Sequence, residues 1–198
     1  MAPVVDKPDG RSFTELTRQF FGRPLSMNEA WEVVEAVEIG PSAESVAAPP
    51  ETVWIGSVGY ERHKHVQDFA RMLSDAGVER LVDVRELPIS RRRGYAKTAL
   101  GEAVGNVGVE YVHVKLLGNP KPFRDLYKSG RADEGRRRYE AFLLAGRQDA
   151  LRELAVLLGS KRTALMCVEH DAAVCHRSVI IDALRDELGM QLEVADIT

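Results

Sequence analysis

From residue 52 onward, short apolar runs alternate with segments whose apolar residues recur at helical spacing. The apolar runs predict buried strands, and the spaced segments predict amphipathic helices. Apolar, β-branched strands separated by helices are typical of a parallel sheet covered on both faces. We therefore predict an α/β domain with a mostly parallel, Rossmann-like sheet and helices on both faces. The predicted strands are 53–55, 81–85, 109–114, 163–167 and 192–194.

The first 50 residues follow another pattern. Ser12 and Ser26 each precede a run of helical apolar spacing with a Glu three residues later, which is the signature of a capped helix start. Residues 40–50 are rich in Gly, Pro, Ala and Ser, as linkers are. We predict an N-terminal helical extension and linker over 1–50 and an α/β domain over 51–198. Two short helices need a packing surface, so this extension packs on the main domain or on a partner.

Composition narrows the classes of protein without choosing one. The 198 residues are 44% hydrophobic and 29% charged, with a net charge of −3, so nothing in the overall charge favours nucleic acid. No apolar stretch approaches the roughly 20 residues that cross a bilayer, and the first residues lack a signal-peptide pattern. Two cysteines do not make a disulfide framework. We expect a cytoplasmic protein that does not enter membranes.

The segment 167–177 carries most of the candidate chemistry. It joins a predicted strand to a predicted helix and contains both cysteines of the chain. This order places Cys175, His176 and Arg177 at a helix N-terminus, where free N–H groups and the helix dipole favour anions. A thiol beside an Arg and a His tends toward thiolate. The segment therefore predicts a site.

Three functions for Cys175 stay open at this point. It is a nucleophile, a part of an anion pocket without covalent chemistry, or a half-buried structural cysteine with Arg177 capping or salt-bridging nearby. His176 is a candidate acid or base, although neighbours on a helix point about 100° apart. We therefore do not expect His176 to pair directly with Cys175.

Cys167 ends a predicted strand and is most simply a buried small hydrophobe. Two other arrangements remain open. Cys167 and Cys175 form a redox couple if the loop between them folds back. Cys167, His170, Cys175 and His176 also contain the atom types that bind zinc, but their spacing lacks a paired C-x-x-C knuckle. We predict no metal ligands, and the sequence does not indicate a cofactor.

Charged residues follow two strand ends. Glu169 lies just past the fourth strand and is either a general acid or base, a carboxylate that grips a ribose or an amine, or an ion-pair partner of Arg85 or Arg177. Asp83 and Arg85 lie at the end of the second strand, and buried charges need partners. We expect an Asp–Arg network along the floor of the site, with Arg85 able to reach a substrate anion.

The end of the first strand offers a second candidate site. Residues 56–59, Gly-Ser-Val-Gly, follow strand 53–55 and form either a backbone cradle for phosphate or a tight strand-to-helix turn. They match neither the dinucleotide fingerprint nor a P-loop. Ser57 is expected to contact the ligand, and Tyr60 either stacks on a base or covers the core.

Two basic clusters complete the candidates. The first runs from Arg91 to Arg93 beside Tyr95. It follows the end of a predicted strand that lies next to the predicted site. Arginine beside an aromatic ring suits a nucleotide or a nucleic-acid strand. The second, 136–138, carries acidic neighbours and is more simply a charged helix face. No G-x-S-x-G occurs, so a serine hydrolase is not indicated.

At this point the chain resembles a known family. Residues 53–197 are similar to the bacterial and archaeal "domain of unknown function 488" family, and the resemblance implies an α/β fold and a site without supplying a reaction. The segments that carry the resemblance are 55–57, 81–85 with Pro88 and Ser90, 109–111, 116–118, 164–169 and 175–177.

The leading hypothesis is an intracellular enzyme or ligand-binding domain for a phosphate-bearing substrate, a nucleotide or a nucleic acid. If it is an enzyme, a thiol-dependent hydrolase or transferase fits the residues. The alternatives are a non-catalytic nucleic-acid-binding module and a partner-binding adaptor built on the first helices. The candidate catalytic residues are Cys175, Glu169 and His176, and the candidate binding residues are Arg177, Arg85, Ser57, Tyr60 and Arg91.

Overall fold

The computed structural model describes residues 52–198, which belong to one compact unit. Their core is a five-stranded sheet in the order β3-β2-β4-β1-β5, and all its pairings are parallel. The predicted fold class is thus confirmed, while the predicted helical pair lies outside the described residues. The strands are β1 (Val53–Gly59), β2 (Arg80–Asp83), β3 (Glu110–His113), β4 (Thr163–Cys167) and β5 (Leu192–Asp196).

Six α-helices connect the strands, with short 3₁₀ turns at Lys115–Leu117 and Ala172–Val174. The third of these helices begins at Lys121, between two prolines of the sequence. A proline in the first helical turn loses no hydrogen bond, so Pro122 fits there. None of these helices is both long and apolar enough to cross a bilayer. The helices are α1 (Val66–Asp75), α2 (Lys97–Gly105), α3 (Lys121–Lys128), α4 (Ala132–Leu144), α5 (Gln148–Ser160) and α6 (His176–Leu188).

Alternating strand residues build one hydrophobic core on each face of the sheet. Leu81 joins the core that α1 and α2 cover, and Val82 joins the core that α4, α5 and α6 cover. In β4, Met166 and Leu165 divide in the same way. Successive strand residues point to opposite faces, so both faces must be covered.

The strand order creates a switch point between β2 and β4. The chain runs from β1 through α1 and α2 toward the β3 edge, then returns to insert β4 between β2 and β1. The segments that follow β2 and β4 therefore lead to helices on opposite faces of the sheet. In open α/β sheets this divergence leaves a crevice at the carboxyl ends of the strands.

The segment Gly56 to Gly59 is strand, which corrects the prediction of a phosphate cradle or a tight turn. β1 continues to Gly59 and pairs there with Cys167, so these backbone groups belong to the sheet. A Cβ atom at Gly59 would lie 1.8 Å from the carbonyl oxygen of Glu169. Glycine at this position lets the segment after β4 approach β1.

Candidate functional site

A cavity of about 270 Å³ opens at the switch point between β2 and β4. One wall is the segment after β2, another is the segment after β4 with the start of α6, and a third is α3 with the turn before it. The cavity therefore lies where parallel α/β sheets bind ligands. Its lining residues are Arg85, Glu86, Leu87, Ile89, Asn119, Arg124, Tyr127, Lys128, Cys167, Val168, Glu169, Val174, Cys175 and His176.

Four reactive side chains meet on one wall, and we call Cys167, Glu169, Cys175 and His176 the thiol cluster. Both thiols lie within hydrogen-bonding distance of the same carboxylate oxygen, Oε2 of Glu169, with Sγ–O distances of 3.1 Å for Cys167 and 3.3 Å for Cys175. The Nδ1 atom of His176 lies 3.8 Å and 3.6 Å from the same two sulfurs. The three catalytic candidates from the sequence are thus brought together, and Cys167 joins them.

The contact between His176 and Cys175 corrects the expectation that they do not pair. Cys175 is the N-cap of α6, and its backbone is extended, with φ −131° and ψ 148°. The 100° rule holds only between two helical residues, so the side chain at the cap can turn toward its neighbour.

The imidazole of His176 is held in one orientation. Its Nε2 atom lies 2.9 Å from the carbonyl oxygen of Val84, which can only accept a hydrogen bond. Nε2 therefore carries a proton, and Nδ1 faces the sulfurs. The ring also packs edge-on against Tyr139, with 5.1 Å between ring centres.

The two thiols differ in acidity. The pKa of Cys167 is lowered well below its ordinary value by the neighbouring Cys175 thiol as a donor, against the opposing effect of burial, with help from His176 and Arg177. The pKa of Cys175 is raised well above its ordinary value by burial and by the negative charge of Cys167. The pair thus gives up one proton readily and holds the second.

The other two groups of the thiol cluster respond to that charge. Burial and the charge of Cys167 raise the pKa of Glu169 to about 7. Burial lowers the pKa of His176, but the charge of Cys167 and the hydrogen bond with it outweigh burial, and the net direction is upward. A carboxyl group with a pKa near neutrality can both donate and accept a proton at working pH.

Arg177 lies behind the crevice and does not line it. Its side chain is fully buried, and it donates to Ser57 Oγ (3.1 Å), to the carbonyl of Glu169 (2.8 Å) and to that of His170 (3.3 Å). The predicted ligand contacts Arg177 and Ser57 therefore bind each other and the loop, and the predicted ion pair of Arg177 with the Glu169 carboxylate does not form. Their effect on the site is to fix the backbone that presents Glu169.

Arg85 lines the crevice and pairs with Asp83, as the sequence predicted. The buried guanidinium donates to both carboxylate oxygens of Asp83, the shortest distance being 2.6 Å, and to Tyr60 Oη at 3.2 Å. The ring of Tyr60 stacks on Tyr95, with centres 4.5 Å apart. Of the two functions predicted for Tyr60, the structure shows the one in which it covers the core.

Neither basic cluster lines the crevice. The side chains from Arg91 to Arg93 are exposed and do not line the crevice, and Arg92 donates to the carbonyl of His63 at 2.7 Å. In the second cluster Arg138 pairs with Glu134 at 2.7 Å and Arg136 pairs with Asp182. The interpretation of the second cluster as a paired helix face is supported.

Sequence reasoning missed the wall formed by α3 and the turn before it. Asn119 is 3% exposed, and neither its Oδ1 nor the buried Oη of Tyr127 has a hydrogen-bond partner within residues 52–198. Gly135 of α4 lies against the Tyr127 ring, where a Cβ would approach to 2.8 Å, so a glycine lets α3 pack closely. The sequence did contain one indication of this wall. Asn119 follows the third strand, and the residues after a parallel strand lie at the same sheet edge as the site.

These features define an α/β domain with a thiol cluster at its topological switch point. The chain belongs to the family described as "Domain of unknown function DUF488", whose model matches residues 65–184. The resemblance noted from the sequence is thereby confirmed. No curated protein and no solved structure gives a significant match to the chain.

Proposed function

We propose that the crevice is the active site of a thiol-dependent hydrolase or transferase that acts on a phosphate-bearing small molecule of the nucleotide class. One observation carries this proposal. Two thiols lie on the wall of the switch-point cavity, and each sulfur is within 4 Å of both an imidazole nitrogen and a carboxylate oxygen. The two free cysteines suit a reducing, cytoplasmic compartment.

The proposed chemistry starts from Cys167. Its thiolate attacks phosphorus, an S–P bond forms, and the bond from phosphorus to the leaving oxygen breaks. That oxygen takes the proton of Glu169. Water, or an acceptor alcohol in a transferase, then attacks phosphorus while Glu169 takes its proton, and Cys167 leaves as thiolate. Cys175 supports the thiolate as a donor, and attack by Cys175 itself is one of the hypotheses that the sequence left open.

The wall formed by α3 and the turn before it suits the rest of such a substrate. Arg124 and Lys128 project from α3 into the cavity lining and offer positive charge, Arg124 sharing it with Glu86 at 3.1 Å. Among the residues that the structure describes, the buried Asn119 Oδ1 and Tyr127 Oη have no hydrogen-bond partner, so a base or a sugar could supply one. Small-molecule sites range from about 300 to 1,000 Å³, so a cavity of about 270 Å³ suits one nucleotide better than a strand.

The test uses full-length protein, reduced and freed of metal with a chelator. It is incubated with phosphate monoesters, phosphodiesters and nucleotides, while phosphate release and the intact mass of acid-quenched protein are measured. We expect turnover and a phosphorylated protein that Cys167→Ser removes. Lys128→Ala should raise KM, whereas Lys97→Ala, which changes an exposed lysine outside the crevice, should not.

Two results would overturn the proposal. One is the absence of turnover, of phosphorylated protein and of nucleotide binding across the whole panel. The other is turnover that survives in the Cys167→Ser, Cys175→Ser double variant. Because the chain has only these two cysteines, the double variant contains no other thiol.

A further inference from the structure

The thiol cluster also has the composition of a metal site. Cys167 Sγ, Cys175 Sγ and a ring nitrogen of His176 all lie within 4.8 Å of one another, and all three residues are buried. Glu169 adds a carboxylate oxygen within 3.3 Å of both sulfurs. Two soft sulfurs with an imidazole and a carboxylate form a donor set that favours zinc over magnesium or calcium.

The distances fit a tetrahedral ion. Zinc lies about 2.3 Å from sulfur and about 2.0–2.1 Å from nitrogen, so two ligand atoms at the tetrahedral angle are about 3.5–3.8 Å apart. The distances from His176 Nδ1 to Cys175 Sγ and Cys167 Sγ are 3.6 Å and 3.8 Å. The two sulfur–oxygen distances, 3.1 Å and 3.3 Å, are slightly shorter. Coordination of an ion would therefore require these two sulfur–oxygen distances to lengthen by less than about 1 Å.

The surroundings of His176 match those of a metal ligand. Metal-bound histidines usually donate their other N–H to a backbone carbonyl or a carboxylate, which fixes the tautomer. Here Nε2 bonds the carbonyl of Val84 at 2.9 Å, and Nδ1 is left facing the two sulfurs. The contact joins residues 92 positions apart, so the fold itself sets this tautomer.

We propose that the thiol cluster binds one zinc ion through Cys167, Cys175 and His176, with Glu169 as the fourth ligand. The set differs from the one weighed in the sequence, since Glu169 takes the place of His170. Arg177 supports it from behind by holding the carbonyls of Glu169 and His170. No paired-ligand knuckle occurs because the ligands come from a strand end, a loop and a helix start.

Metal binding and thiol chemistry compete at this site. A sulfur that is a zinc ligand shares an electron pair with the ion, so zinc occupancy would suppress the attack of Cys167 on a substrate. The metal site stands without the proposed function, and only its interpretation as a switch rests on that function.

The experiment titrates reduced, chelator-treated full-length protein with Co²⁺ and then with Zn²⁺. Cobalt in a tetrahedral site with sulfur ligands gives intense visible bands and sulfur-to-metal charge transfer in the near ultraviolet. We expect both signals to saturate at one equivalent and to vanish when Zn²⁺ displaces Co²⁺. A result with no such bands, or with octahedral cobalt alone, would overturn the proposal.

Variants assign the ligands. Cys167→Ser, Cys175→Ser and His176→Ala should each weaken zinc binding by more than the roughly 10–100-fold that loss of an outer partner costs. Glu169→Gln should weaken it less. His170→Asn and His65→Asn are matched controls, and we expect both to bind as the wild type does. Unchanged affinity in the two cysteine variants would refute the site.

A second measurement on the wild type covers the case in which a variant fails to fold. The only thiols that iodoacetamide can alkylate are Cys167 and Cys175, because the chain has no other cysteine. Saturating Zn²⁺ should suppress alkylation of both by at least tenfold, and a chelator should restore it. Equal alkylation rates with and without Zn²⁺ would contradict the site. If alkylation did not depend on Zn²⁺ and the metal-free protein still turned over phosphate esters, the zinc site would be rejected and the proposed function would remain supported.

Discussion

At the residue scale, Arg177 shows how a charged side chain can serve a site without touching a ligand. It is fully buried, and its donors satisfy a hydroxyl of β1 and two carbonyls of the loop after β4. Those carbonyls belong to Glu169 and His170, so the guanidinium sets where the Glu169 carboxyl group stands. A buried arginine with neutral partners is stable only because each contact is a charge-assisted hydrogen bond.

Replacing Arg177 by Met keeps the volume and removes the donors. Each orphaned buried acceptor costs about 1–3 kcal/mol, so we expect a loss of several kcal/mol in the free energy of unfolding. Denaturant unfolding measures it. Arg185→Met on the same helix is the control, since its pairing with Asp182 at 3.7 Å is exposed and worth about 1 kcal/mol or less. If the two variants lowered the free energy of unfolding equally, this role of Arg177 would be contradicted.

Glu169 should make the stability of the metal-free protein depend on pH. Its pKa is about 7 in the folded state against an ordinary value of 4.5. Below 4.5 the group is protonated in both states. As pH rises from 4.5 to 7, the unfolded chain loses this proton while the folded chain keeps it, so stability falls. Above 7 the folded form has ionised as well, and the loss is complete.

Glu169→Gln removes this titration. The gap between the two pKa values corresponds to roughly 3 kcal/mol, so the variant should gain up to that amount over the wild type between pH 4.5 and pH 8. Urea unfolding across this range, with chelator present, measures the difference. A constant difference between variant and wild type would show that the carboxyl group ionises normally.

At the element scale, the site depends on how closely the loop after β4 approaches β1. Gly59 permits that approach, because a Cβ there would meet the backbone of Glu169 at 1.8 Å and of His170 at 2.7 Å. Backbone atoms cannot move aside as a flexible side chain can. The end of β1 therefore positions one wall of the thiol cluster without contributing a functional group to it.

Gly59→Ala should displace that loop. We expect destabilisation of at least about 1–3 kcal/mol and faster alkylation of Cys167 and Cys175 in the metal-free protein, because Glu169 would leave its place. Gly105→Ala is the matched control, since a Cβ at Gly105 in α2 meets nothing within 4 Å. Removal of a glycine from a helix interior stabilises by about 0.5–1 kcal/mol, and since Gly105 ends its helix, we expect a stabilisation no larger than this. A neutral Gly59→Ala would contradict the role of the close approach.

At the scale of the whole molecule, the described residues supply a complete fold. The sheet, the hydrophobic cores on its two faces and the switch-point cavity are all formed within residues 52–198. Small domains gain most of their stability from such cores. All residues of the proposed site belong to this described part of the chain.

A chain that begins at Ala48, the first residue of this compact unit, should keep the fold. We expect its melting temperature to lie within a few degrees of that of the full chain, with the same Co²⁺ spectrum. Calorimetry and the cobalt titration measure both. A fragment that fails to fold, or a change in oligomeric state on removal of residues 1–47, would favour the hypothesis that the first residues form a packing or partner surface.

The sequence alone determined the strands, most of the helices and the edge of the sheet at which the chemistry gathers. These follow from local pattern, since apolar period and turn residues act over a few positions. Cys175, His176 and Glu169 could be predicted for this reason, because strand ends of a parallel sheet share one edge.

Only the tertiary structure decided which of these groups meet. It brought Cys167 into the thiol cluster and added Asn119 and Tyr127 to the wall formed by α3 and the turn before it. It also turned Arg177 away from the crevice toward Ser57, which lies 120 positions away in the sequence. Contacts over such separations depend on the strand order and on how closely helices and loops pack. The local period of hydrophobic and polar residues determines neither the strand order nor the closeness of packing.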